Sequence, residues 1–174
     1  MTRIRCTQAL LKLLRIKPDE TRDSLTRGPL GDWYAHLLWI ERKKCILFTN
    51  EVTLFNFLAL NVKRADLADM NTFFRENLRR GLEAIGIIGA SASKLLLTLG
   101  DITISRTTNR SVLGSMNDYA FQYRVYVETQ GGLHRCDILD MISSTNESPM
   151  SAIGYNSGTQ RLRRWLDNDI SDLP

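Results

Sequence analysis

LGDWYAHLLWIERKKCILFTNEVTLFNFLALN, residues 30–61, is the stretch whose reading decides the fold. It holds two of the three tryptophans, Trp33 and Trp39, and three of the six phenylalanines, Phe48, Phe55 and Phe57. Apolar, aromatic and β-branched residues fall into runs at 33–40, 45–48 and 52–60, separated by the short polar breaks Glu41-Arg42-Lys43-Lys44 and Thr49-Asn50-Glu51. Runs of that length with breaks that short describe neighbouring antiparallel strands, hence a three-stranded meander. The last run is apolar at alternate positions on both faces (Val52, Leu54, Leu58 and Leu60 against Phe55, Phe57 and Ala59), which suits a strand covered on both sides. Arg42, Lys43 and Lys44 at a hairpin tip have two readings: a solvated turn that discourages edge-to-edge association, or a loop that contacts phosphate.

Helices must cover that sheet, and the clearest helical pattern lies at 65–86. There Leu67, Met70, Phe74, Leu78, Leu82 and Ile85 step by three or four along one stripe. Upstream, residues 3–6 (RIRC) read as a short strand, and Thr7 as the N-cap of a helix at 8–16. Residues 17–31, with Pro18, Pro29 and two glycines, form a long loop and the first place to look for a lid. Downstream, 94–99 is a short helix or strand, and DITISR at 101–106 alternates as a strand does. Residues 111–127 fit a helix capped by Asn109 better than the shorter strand at 121–128, at the cost of leaving Phe121 and Val125 for something else to bury. A short element at 133–142, a loop at 143–158 and a short helix at 159–166 close the chain. The sequence therefore predicts one α+β domain over 1–174, with a small, mainly antiparallel sheet packed by several helices.

At 174 residues the chain is long enough to bury a core, and 43% hydrophobic and 24% charged residues are ordinary globular values. A net charge of +4 and a pI near 9.1 permit an acidic partner without requiring one. Cys6, Cys45 and Cys136 are widely spaced and match no metal-ligand or disulfide pattern, so they read as reduced thiols; no metal or cofactor is indicated. No apolar run reaches the ~18 residues of a membrane span. The first eighteen residues carry Arg3, Arg5, Lys12, Arg15 and Lys17 with no acid, which imitates a transit sequence; Lys12 interrupts the apolar part, so the segment reads as mature structure in a cytoplasmic protein.

Chemistry has few places to live. His36 falls in a predicted strand, His134 follows Gly131-Gly132, and no HExxH, GxSxG or Walker frame surrounds either. Asp32 beside Gly31 is turn chemistry or, with His36, a proton-transfer candidate. Thr107, Asn109, Arg110 and Ser111 join a strand to a helix start, where exposed N–H groups, a guanidinium and hydroxyls suit a phosphate or carboxylate; simple capping by Asn109 is the plainer reading. Arg161, Arg163 and Arg164 flank the apolar edge of the last helix.

Several strings here, Ile4-Arg5-Cys6-Thr7-Gln8 with Leu10-Leu11, Leu30-Gly31-Asp32-Trp33, RKKCILFTN at 42–50, NRSVLGSMND at 109–118 and NESPM at 146–150, together resemble an uncharacterised prokaryotic family known as a domain of unknown function. The resemblance spans most of the chain and implies a bacterial or archaeal cytoplasmic protein, with no reaction, cofactor or catalytic residue to carry over. Two functions remain as expectations. The first is a small basic module that binds nucleic acid or an acidic protein through Arg42, Lys43, Lys44, Arg110 and the Arg161–Arg164 cluster. The second is an enzyme on a phosphate-bearing or nucleotide substrate, with its anion site at 109–111.

Overall fold

A computed structural model describes residues 1–17 and 28–171. Five strands, β1 (Thr2–Cys6), β2 (Trp33–Ile40), β3 (Lys43–Asn50), β4 (Asn56–Ala59) and β5 (Ile102–Arg106), form one sheet in the order β4-β3-β2-β1-β5. Among the described residues six α-helices surround it: α1 (Gln8–Leu14), α2 (Met70–Ala84), α3 (Gly89–Thr98), α4 (Arg110–Thr129), α5 (Ile138–Glu147) and α6 (Gly158–Ser171). The expected α+β class stands, and β2, β3 and β4 are the antiparallel meander. The sheet as a whole is mixed, because β1 pairs in parallel with both β2 and β5. RIRC and DITISR are legible as strands, but their partners lie across long connections, and local pattern carries no pairing direction. Most of the lid candidate at 17–31 lies outside the described residues.

One face of the sheet is aromatic. Paired positions share a face, so Trp33, Phe48 and Phe57 stand together and receive Phe74 of α2, with Trp33–Phe74 centroids 5.3 Å apart and Phe48–Phe57 stacked at 5.0 Å. Gly81 lets α2 come this close: a Cβ there would lie 2.7 Å from Phe57 Cβ. Asp69 starts α2 by accepting from the N–H groups of Asn71 and Thr72, and so splits the predicted 65–86 helix into a 3-10 turn and a longer helix. The predicted third strand is also shortened. Asn50 Oδ1 accepts from the Val52 and Thr53 N–H groups, the chain reverses, and Leu54 takes a left-handed φ of 55°.

The opposite face carries α4, and α5 runs along the β4 edge. The helical reading of 111–127 holds, but nothing covers Phe121 and Val125, which are 65% and 40% exposed. The predicted loop at 143–158 begins as the second half of α5, and its Asn146 is fully buried. That side chain finishes the sheet. Asn56 N–H donates to Asn146 Oδ1 (2.9 Å), and Asn146 Nδ2 donates to Asn56 O (2.7 Å), so one amide replaces a missing neighbour strand on the edge of β4. Tyr123 Oη donates to Asn56 Oδ1 at 2.7 Å and ties α4 to the same point. Gly158 leaves room for this: a Cβ there would stand 2.8 Å from Asn146 Oδ1.

Substituting Asn146 strips partners from a buried backbone donor and acceptor at once. Asn146→Leu is expected to lower unfolding free energy by about 3 kcal/mol, the scale of two orphaned buried polar groups. Urea denaturation monitored by circular dichroism checks it.

Candidate functional site

The strand registers place one polar residue from each strand in a single row on the α4 side: Ser105, Arg5, Tyr34, Thr49 and Asn56. All five are buried. Arg5 Nε donates to Asp32 Oδ2 at 2.6 Å, Arg3 Nη1 reaches the same oxygen at 3.3 Å, and Arg5 Nη1 donates to Arg106 O at 3.0 Å. Asp32 is itself pinned at the mouth of β2, where its N–H donates to Glu51 Oε1 and its carbonyl accepts from Glu51 N–H. Further along the row, Tyr34 Oη accepts from Asn109 N–H (3.2 Å) and lies 3.5 Å from Thr108 Oγ1. Within the row, the Thr49 and Ser105 hydroxyls have no hydrogen-bond partner among the described residues.

This row decides where several candidates fall. Asp32 is a buried counter-charge of two guanidiniums, and one of them, Arg5, also reaches the carbonyl of Arg106 just before the 107–111 junction. Asn109 Oδ1 accepts from the Ser111 and Val112 N–H groups, so it caps α4; Arg110 and Ser111 are exposed and Thr107 is half-buried. His36 stands apart from Asp32, half-buried, with Nδ1 3.4 Å from Thr7 Oγ1. The terminal arginines sit elsewhere and two have structural partners: Arg163 Nη2 donates to the carbonyl of Ile85 at the end of α2, and Arg164 Nη1 donates to Asn156 Oδ1. Arg161 is half-buried.

Arg42 and Lys43 are exposed at the β2–β3 tip, and Lys44 Nζ lies over the Trp39 ring, 5.8 Å from its centroid. The tip stands at one end of the sheet for a geometric reason. Cys6, the last residue of β1, is level with Ala35, so β2 runs on from there through Ile40, roughly 16 Å further. Beside that overhang, where β1 and β5 end, lies a groove of about 310 Å³ lined by Gln8, Leu11, Lys12, Arg15, Ile16, Lys17 and Arg106. Four of the seven are cations and none is an acid. Ligands of open sheets sit outside the carboxyl ends of parallel strands, which is where this groove opens. The Lys12, Arg15 and Lys17 signal is present in the sequence as the acid-free run of the first eighteen residues. Their meeting with Arg106 is not, because it depends on the β1–β5 pairing.

Residues 3–160 match a family model described as Domain of unknown function (DUF6933). The chain belongs to that family. No curated protein matches it. Among the described residues of this DUF6933 chain, no group of three or more His, Cys, Asp or Glu side chains is placed to hold a metal ion, and no helix is long and apolar enough to cross a membrane.

Burial governs titration in this family member. It pushes the Cys6 thiol up to about 12 and raises the Tyr119 and Tyr123 hydroxyls well above their usual range, so all three stay protonated at neutral pH. Burial, and then the positive charge of Arg124, lower the pKa of His36 below its ordinary value.

Two outcomes follow. Asp32→Ala removes a counter-charge that two buried guanidiniums share and is expected to cost about 2–3 kcal/mol of stability in urea denaturation, the scale of lost hydrogen bonds to charged groups. His36 has a folded pKa below the unfolded value of about 6.5, so in that window the unfolded chain binds more protons, and stability falls as pH drops from about 6.5 through the folded pKa. A plot of melting temperature against pH should be flatter there in His36→Gln than in the parent.

Proposed function

We propose that this chain is a small basic binding module whose ligand is nucleic acid, held by its phosphates at the carboxyl ends of β1 and β5. The observation that carries the reading is the groove where Lys12, Arg15 and Lys17 converge at the end of β5. Convergent cations release condensed counterions when they meet a phosphate backbone, which is the sequence-independent part of nucleic-acid affinity. Arg42, Lys43 and Lys44 add charge at the adjoining hairpin tip. The three free cysteines support a reducing compartment, and with it a cytoplasmic setting.

The enzyme reading draws less support. Asn109 Oδ1 is occupied in capping, Asp32 is engaged by Arg3 and Arg5, and His36 is held near Thr7 rather than beside the 109–111 junction.

Fluorescence anisotropy of a labelled oligonucleotide over a salt series tests the proposal. With about three phosphates engaged, log K should fall against log salt with a slope of about −2 on a single strand. Lys12→Glu with Arg15→Glu should weaken binding at least tenfold and flatten that slope, whereas Arg80→Glu, exposed on α2, should change little. Absence of binding at low salt would overturn the reading.

A further inference from the structure

We infer that the nucleic acid is single-stranded and that Trp39 is a platform on which one of its bases stacks; this rests on the nucleic-acid reading above. Three observations on the β2–β3 hairpin carry it. Trp39 is 51% exposed, while Trp33, on the same face of the same strand, is fully buried. The exposed ring has a cation seated over it, since Lys44 is its cross-strand partner and holds Nζ 5.8 Å from the centroid. A flat apolar surface beside an ammonium offers a base a stacking partner and its phosphate a counter-charge, the combination by which proteins hold single strands without reading sequence.

The turn supplies the third observation. Glu41 and Arg42 are both in the left-handed region, with φ of 45° and 64°. A two-residue hairpin turn of that kind favours Asn-Gly, and non-glycine residues are strained there. The chain nevertheless has Glu-Arg at the tip, and anchors it, since Glu41 Oε1 accepts from Leu133 N–H at 3.0 Å. That bond fixes the turn that carries Arg42 and leads into Lys43 and Lys44.

Register joins this platform to the groove. Arg106 pairs with Cys6 and Cys6 with Ala35, so Arg106, Ala35, Leu37 and Trp39 present their side chains on one face of the sheet. Trp39 stands four residues beyond Ala35, roughly 13 Å along β2. A strand whose phosphates run past the carboxyl ends of β1 and β5 toward the tip meets the ring on the way. A duplex keeps its base faces stacked inside and gives Trp39 nothing to cover.

The test compares a labelled single-stranded 12-mer with a hairpin duplex of the same composition, by anisotropy at fixed low salt, for the parent, Trp39→Ala and Trp39→Phe. The parent should prefer the single strand by at least tenfold. Trp39→Ala should lose about tenfold on the single strand, within the range measured for removal of a stacking aromatic, while its duplex affinity stays unchanged. Trp39→Phe should keep most of the affinity, and both variants should melt close to the parent. A preference for duplex, or unchanged single-strand affinity in Trp39→Ala, overturns the stacking inference and leaves the groove reading standing. Binding of neither polymer, or displacement of both by polyglutamate at equal charge concentration, removes the nucleic-acid reading together with the inference.

Discussion

Two guanidiniums and one carboxylate lie buried where β1 enters the sheet, and the positions of β2 and β5 beside it depend on their pairing. Arg3 and Arg5 are 5% and 3% exposed, and Asp32 is 1% exposed. Ions taken so far out of water are tolerated only with close counter-charge and satisfied hydrogen bonds. Asp32 supplies the charge, Arg106 O receives a second Arg5 donor, and Glu51 fixes the Asp32 backbone. Arg5 is in register with Tyr34 on one side and Ser105 on the other, so the network spans all three strands; β1 and β5 end level with each other at Cys6 and Arg106, while β2 runs on to Ile40. The groove at their ends and the overhanging hairpin follow from that register.

Much of this architecture is visible in the chain before any coordinates. The antiparallel meander, the amphipathic stripe of α2 and the capping of α4 by Asn109 all come from local periodicity and local hydrogen bonding, which short windows of sequence contain. Long-range features are not legible there. Arg3 and Arg5 look like surface charge because nothing near them in sequence shows that they alternate into a buried face or that Asp32, almost thirty residues on, will meet them. Asn146 looks like loop composition, and its role as a substitute strand depends on the geometry of a sheet edge assembled from elsewhere. Asn50 truncates a strand that hydrophobicity alone extends, since one side-chain acceptor for two backbone donors outweighs alternation.

The distribution of positive charge divides along the same line. Sequence gathers Arg161, Arg163 and Arg164 into an apparent cluster, yet Arg163 and Arg164 reach the Ile85 carbonyl and Asn156, and their charge serves packing between elements. Lys12, Arg15 and Lys17 are neighbours in sequence and meet the distant Arg106 only in space. The groove of the proposed module lies at the carboxyl end of the parallel strands, where a long β2 overhangs short neighbours.

Amide hydrogen exchange followed by mass spectrometry, with and without saturating single-stranded oligonucleotide, locates the ligand directly. The account predicts added protection in peptides covering residues 8–17, 39–44 and the end of β5 near Arg106, with α6 unchanged. Protection confined to residues 158–168, or to the 109–111 helix start without the hairpin tip, would contradict it.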